Sequence, residues 1–215
     1  MPSYLNLETW PRRDTFNYFR TFDKPYFNIT TLIDISELLS LRERCEFTTF
    51  LAYHYLALRA ANEIEPFRYR ISGDRVAVHE VIHGGSTVLM PNETVAFAYF
   101  DYHENFADFS IEASCEIERV RKGSAVFDPR DDHQAVIHFT TLPWFSFTSF
   151  SHARNWGRED SIPKIAFGKF TGGNGKVMLP ISVEVHHALM DGLHVGRFIQ
   201  RLEESLSSPE RYLKK

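Results

Sequence analysis

The residues best suited to chemistry lie together near the C-terminal end, in His186-His187-Ala188-Leu189-Met190-Asp191-Gly192. An imidazole that stays uncharged near neutral pH is a ready proton acceptor. Just upstream, Val177, Leu179, Ile181, Val183 and Val185 alternate with Met178, Ser182 and Glu184, the pattern of a strand with one buried side. Continued by two residues, that alternation puts His186 on the Ser182/Glu184 side and His187 on the apolar side. Partial desolvation there disfavours imidazolium and leaves a neutral base. Two plainer readings compete. His187 as a hydrogen-bonded core histidine stays open. The histidines as a metal-ligand pair fit poorly, because neighbours on a strand face opposite ways and do not share an ion.

Other elements must position this stretch. Gly192 marks a turn, and Leu193, Val195, Gly196, Phe198, Ile199, Leu202 and Leu206 have helical spacing, with Asp191 at the N-cap or in the first turn. Earlier in the chain, helices are expected from Trp10 to about Phe22, from Ser36, over Thr48 to Ile64 (stopped by Pro66), and over Phe106 to Val120. Tyr26 to Ile35 alternates as a strand, and Phe67–Ile71 with Arg75–Val81 reads as a hairpin around Gly73-Asp74. Further strands are expected at Thr87–Met90, Thr94–Tyr102, Ala135–Thr141, Phe145–Phe150, Pro163–Phe170 and Val177–His187, with Gly172-Gly173-Asn174-Gly175 joining the last two. Ser124 to Asp132 reads as surface loop. Pro180 cannot donate to a ladder, so a bulge or an open edge is expected there. These elements predict an α+β fold, a two-layer sandwich of helices on a mixed, mostly antiparallel sheet, in one domain over residues 1–215.

Composition narrows the function. The 215 residues include 19 Phe and are 43% hydrophobic, enough for a substantial packed core. A formal charge of −4 without a Lys/Arg cluster argues against a nucleic-acid partner. No apolar run is long enough to span a bilayer, and the first residues lack the basic and apolar regions of a signal peptide. Cys45 and Cys115 suggest two free thiols rather than a disulfide framework or a zinc site. A cytoplasmic protein is expected.

His-His-x-x-x-Asp-Gly after an apolar strand resembles the signature of coenzyme A-dependent acyltransferases. Several further stretches are similar, in the same order, to the chloramphenicol acetyltransferase family. They are Trp10-x-Arg12-Arg13-x-x-Phe16, the Phe27–Ile35 strand, Phe67-Arg68, Leu142-Pro143-Trp144-Phe145-Ser146-Phe147-Thr148-Ser149-Phe150, Gly168-Lys169-Phe170, and Leu179 through Phe198. The resemblance implies an acetyl-CoA-dependent O-acetyltransferase and a homotrimer with active sites at subunit interfaces. It implies His187 as general base, Ser149 as donor to the oxyanion, and Arg12 with Asp191 as an ion pair holding the loop after the histidine. It also implies Lys169 and Phe170 near acetyl-CoA, and Phe19 and Phe27 in the acceptor pocket. Ser149, on the expected strand, shares a face with Phe145 and Phe147, a lone hydroxyl among aromatics. Lys164, Lys169 and Lys176 are the cations around the last hairpin that could meet a polyanionic co-substrate.

Two positions depart from the family pattern. Ala166 stands where the family has a threonine that solvates the intermediate, and Pro25 where it has an acceptor-pocket cysteine. The acceptor is therefore chloramphenicol or another hydroxylated small molecule. A non-catalytic protein of this fold that sequesters an aromatic ligand is the alternative from another class.

Overall fold

The computed structural model describes residues 2–124, 134–154 and 160–213. Its strands are β1 (Ser3–Tyr4), β2 (Tyr26–Asp34), β3 (Tyr69–Ser72), β4 (Arg75–Val78), β5 (His83–Leu89), β6 (Val95–Phe100), β7 (Val136–Thr141), β8 (Lys164–Phe167), β9 (Thr171–Gly173) and β10 (Lys176–His186). The helices are α1 (Arg13–Phe19), α2 (Ser36–Arg42), α3 (Thr49–Glu63), α4 (Phe106–Arg119), α5 (Gly192–Ser207) and α6 (Glu210–Leu213). Helix starts follow local chemistry. The Thr48 hydroxyl accepts from Leu51 N–H at 3.3 Å to cap α3, and Asn105 Oδ1 accepts from Asp108 N–H at 2.9 Å to cap α4.

The main sheet runs β2-β10-β8-β7-β5-β6, with β9 as a further partner of β10. Only β5/β7 and β7/β8 pair in parallel; its other pairs are antiparallel, as expected. The β3–β4 hairpin joins the two-residue β1 in a separate three-stranded sheet, which the sequence did not foretell. Phe67 is not in that hairpin; it lies in a 3-10 turn over Glu65–Arg68. Gly172 and Gly173 belong to β9, and the tight turn is Asn174-Gly175, both with positive φ (53° and 74°), as a type I′ hairpin requires.

Helix α3 contacts both α4 and α5, while α4 packs on β6 and α5 on β2, so the helical layer crosses the sheet from one edge to the other. Leu179, Ile181, Val183 and Val185 of β10 enter one core with Leu56 of α3 and Val195, Phe198 and Leu202 of α5. Each such side chain contributes about 1.5–3 kcal/mol when removed from water.

Three expectations need correction. Strand β10 is buried on both sides: Ser182, Glu184 and His186 are as inaccessible as the apolar set, because the chain around 152–154 and 160–162 covers that face. Residues 145–150 form no strand. Strand β7 already pairs with β5 and β8, and β8 with β7 and β10, so neither of the two strands that this segment connects offers it a free ladder edge. At Pro180 the second of the two expected outcomes holds, an open flank and not a bulge. The residue pairs in register with Leu32 of β2, and its other flank falls in the gap between the ladders to β9 and β8, where its missing N–H is not needed. The first helix is shorter than expected, Arg13–Phe19 alone, and Tyr18 on it is 63% exposed while Phe16 is fully buried. The loop expected at Ser124–Asp132 lies, beyond Ser124, outside the described residues.

Candidate active site

Strand β10 ends at His186, and the two histidines do different things. The His186 ring is buried, and its Nδ1 accepts from Ala188 N–H at 3.2 Å. Burial, with Arg154 nearby, pushes its pKa down to about 4, so it is a neutral structural ring. His187 follows the strand, with its N–H donating to Pro25 C=O at 2.7 Å. Its ring stacks on Phe19 (3.9 Å between centroids, 12° between planes) and lies 4.8 Å from Phe27. One third of its side chain remains exposed (33%), so it can meet a ligand. His187 is thus partly desolvated, as the alternation implied, while His186, expected on the polar side, is the more deeply buried of the two.

The proton on the His187 ring can be placed. Nδ1 is 3.2 Å from Met190 C=O and 3.3 Å from Asp191 Oδ1. Both neighbours only accept, so Nδ1 carries the hydrogen and Nε2 the lone pair when the ring is neutral. Ala188, Leu189 and Met190 are fully buried, which fixes the carbonyl that holds this tautomer.

Asp191 caps α5 as expected, its own N–H donating to His194 Nδ1 at 2.9 Å. Its carboxylate is ion-paired with Arg12, whose Nη2 also donates to His187 C=O at 3.1 Å. Arg12 is therefore the residue that faces the site, and its neighbour Arg13 pairs with Asp14 on the surface. The pair is not deeply buried: the Arg12 side chain is 15% exposed and that of Asp191 40%.

Ser149 stands elsewhere. It lies on an exposed loop, with no hydrogen bond to its hydroxyl among the described residues, and no described contact joins it to His187. The lone hydroxyl among aromatic neighbours on a strand is not what the fold makes. Its loop is nevertheless anchored. Leu142 N–H donates to Phe167 C=O (2.8 Å) and Lys169 N–H to Phe145 C=O (2.9 Å). The Phe147 ring presses on Gly168, where a Cβ would sit 2.9 Å from it.

Phe170 lines a cavity of ≈ 600 Å³ together with Phe50, Tyr53, Pro143, Trp144 and Arg121. Lys169 is exposed beside it. Lys164 and Lys176 are engaged with Asp160 (3.2 Å) and Asp34 (2.9 Å) and are not among the cavity's lining residues. Tyr53 and Arg121 were not singled out from sequence, and Trp144 entered only as a member of the stretch 142–150; the three come from separate segments.

The model of the family described as chloramphenicol acetyltransferase matches residues 3–203. The chain belongs to the chloramphenicol acetyltransferase family. It is 27% identical over 207 residues to a chloramphenicol acetyltransferase of Bacillus pumilus, covering 96% of this chain and 94% of that protein. It is 29% identical over 211 residues to one of Streptomyces acrimycini, covering 97% and 96%. A solved chloramphenicol acetyltransferase superposes with a TM-score of 0.84 at 29% identity, over 96% of this chain and 100% of that one. An Azotobacter vinelandii dihydrolipoamide acetyltransferase superposes with a TM-score of 0.68 at 16% identity, covering 93% and 88%, a likeness of fold.

Within this family frame, the two departures are structurally distinct. Pro25 offers its carbonyl to His187 N–H, so the main chain at that position still supports the histidine. Ala166 is fully buried in β8 opposite Ser182, and a bulkier side chain there would have to displace packed neighbours.

Proposed function

We propose that the protein transfers acetyl from acetyl-CoA to a hydroxyl of chloramphenicol or a related small molecule, with His187 as the base. The observation that carries this is the His187 ring. It is stacked on Phe19, held by Met190 C=O with its Nε2 lone pair free, and open to a ligand. Nε2 removes the acceptor's hydroxyl proton as the oxygen adds to the thioester carbonyl. The tetrahedral oxyanion takes a hydrogen bond from Ser149. Collapse breaks the C–S bond, and the imidazolium returns the proton to the coenzyme A sulfur. Arg12 and Asp191 hold the turn that carries the ring. Phe19 and Phe27 border the acceptor, consistent with an aromatic compound.

Acetyl-CoA fits the cavity beside Lys169 and Phe170. Its aromatic walls suit a nucleobase and a pantetheine arm, and Arg121, in a long 3.8 Å pair with Glu118 of the same lining, supplies a cation there. His187 is not among the lining residues of that cavity, and Ser149 does not reach His187 within the chain. A homotrimer that places the His187 of one subunit against the loop of the next joins these parts. The exposed rings of Trp144 (58%) and Phe145 (52%) are suited to such an interface. A cytoplasmic location follows from the supply of acetyl-CoA, and drug resistance from the reaction.

The test is thiol release from acetyl-CoA on adding chloramphenicol, then a panel of other hydroxylated aromatics, with light scattering for the trimer. Turnover should vanish in His187→Ala and fall about 10²–10³-fold in Ser149→Ala. Full activity in His187→Ala would remove the assignment of the base. Tight binding of chloramphenicol without thiol release would favour the sequestering protein instead.

A further inference from the structure

Apart from the His187 pocket, a cluster of buried charge sits on the polar side of β10. Glu184 accepts from Arg154 Nε–H at 2.6 Å and from the backbone N–H of His152 at 3.3 Å. Arg154 reaches Asp160 with Nη1 at 2.9 Å, and its guanidinium lies 3.7 Å over the Tyr26 ring. The Arg154 and Glu184 side chains are only 2% and 8% exposed. Burial alone would raise the Glu184 pKa, but the hydrogen bonds from His152 and Arg154 outweigh it and hold it down at about 2. A buried ion pair is a poor source of stability, since apolar residues of similar volume often do as well or better. What it does supply is a fixed geometry with defined partners.

The geometry fixed here is the path of the chain just after Ser149. His152 and Arg154 lie three and five residues beyond it. Before Ser149 the loop is held by Leu142, by Phe145 and by Phe147 against Gly168. Since the Ser149 hydroxyl has no partner of its own among the described residues, these anchors on either side set where it stands. The downstream anchor is Glu184, on the strand that ends one residue before His187.

We propose that Glu184 is a positioning residue for Ser149: through His152 N–H and Arg154 its carboxylate fixes the segment that places the serine hydroxyl at the developing oxyanion. This rests on the reading of Ser149 as the oxyanion donor. In the trimer, β10 of each subunit would then serve two neighbouring sites, delivering the histidine to one and, through Glu184, the serine loop to the other.

An oxyanion donor must sit at about 2.7–3.1 Å, and a misplacement near 1 Å costs up to about 100-fold in rate. Glu184→Ala should therefore lower kcat about 10–100-fold, with KM for both substrates within about twofold. The discriminating measurement repeats the substitution in a Ser149→Ala background, where no hydroxyl is left to misplace. There it should cost less than about threefold. Glu184→Gln keeps one acceptor, for His152 N–H, but turns its amide NH2 toward the Arg154 donor, so its loss should fall between those of the parent and Glu184→Ala, and should likewise vanish in the Ser149→Ala background. Glu184→Asp, run through the same cycle, covers the case in which Glu184→Ala does not fold. An equal loss in both backgrounds, or a loss carried by KM, overturns the proposal. Full activity of Ser149→Ala alone would instead overturn the role given to the serine, whatever Glu184 does.

Discussion

Replacing Asp191 by Asn separates two accounts of the site by the size of the effect. In a triad where a carboxylate alone holds the histidine tautomer, the Asp→Asn change costs about 10⁴ in kcat. Here His187 Nδ1 has a second acceptor, Met190 C=O at 3.2 Å, slightly nearer than Asp191 Oδ1 at 3.3 Å. Met190 is fully buried and its carbonyl does not move with the side chain of residue 191. The tautomer should survive, and kcat should fall by no more than about tenfold. Stability is the larger loss. A buried pair broken from one side costs about 3–5 kcal/mol, but Asp191 is 40% exposed and solvent screens the charge left on Arg12. About 1–2 kcal/mol is expected, or a Tm lower by about 2–8 °C in a chain of this size. The assay pairs thiol-release kinetics with thermal unfolding at low and high salt, together with Arg12→Gln and the double variant. The Tm loss should shrink with salt, and the two substitutions should be clearly non-additive. A 10³-fold or greater fall in kcat with an unchanged Tm would refute the reasoning and make Asp191 the acid that orients His187.

Other consequences follow from particular side chains. Arg70 is 1% exposed and donates to the carbonyls of Gln134, Phe67, Tyr69 and Val136 at 2.6–2.9 Å, so Arg70→Met strands four acceptors and should cost more than about 3 kcal/mol. Calorimetry showing under 1 kcal/mol would contradict that account. Phe170→Ala should raise KM for acetyl-CoA about 2–10-fold with kcat nearly unchanged, the loss of one aromatic contact; an unaltered KM would take Phe170 out of the co-substrate site. Stability should decline on acidification. Burial depresses His54 to about 3 and His186 to about 4, so an unfolded chain takes up their protons first as pH falls below about 6.5. Glu184, held at about 2, adds a further loss from its ordinary value of 4.5 downward. His54→Leu should flatten the decline of Tm between pH 6.5 and 4, and an unchanged slope would show that His54 is not responsible.

The order of elements and the site's central motif could be read from the chain because both rest on local rules. Period-2 runs announced β2 and β10, Thr48 and Pro66 bracketed α3, and Asp191 before an amphipathic run announced the start of α5. The pairing of Arg12 with Asp191, 179 residues apart, came from family likeness and is present in the fold.

Long-range competition for space decided the rest. Residues 145–150 have the β-branched and aromatic content of a strand, yet the neighbouring ladders were already occupied, so they became an anchored loop carrying an exposed Ser149. Alternation along Val177–Val185 implied one wet face, but a distant segment around Arg154 covers it, and the charge needed to bury Glu184 comes from that segment. Alternation singled out His187 as partly desolvated, which it is, but gave no sign that the remote segment buries His186 more deeply. A sequence states which side of a strand each residue takes. Which of those sides is dry, and what charge lies across it, is set only when remote parts of the chain pack together.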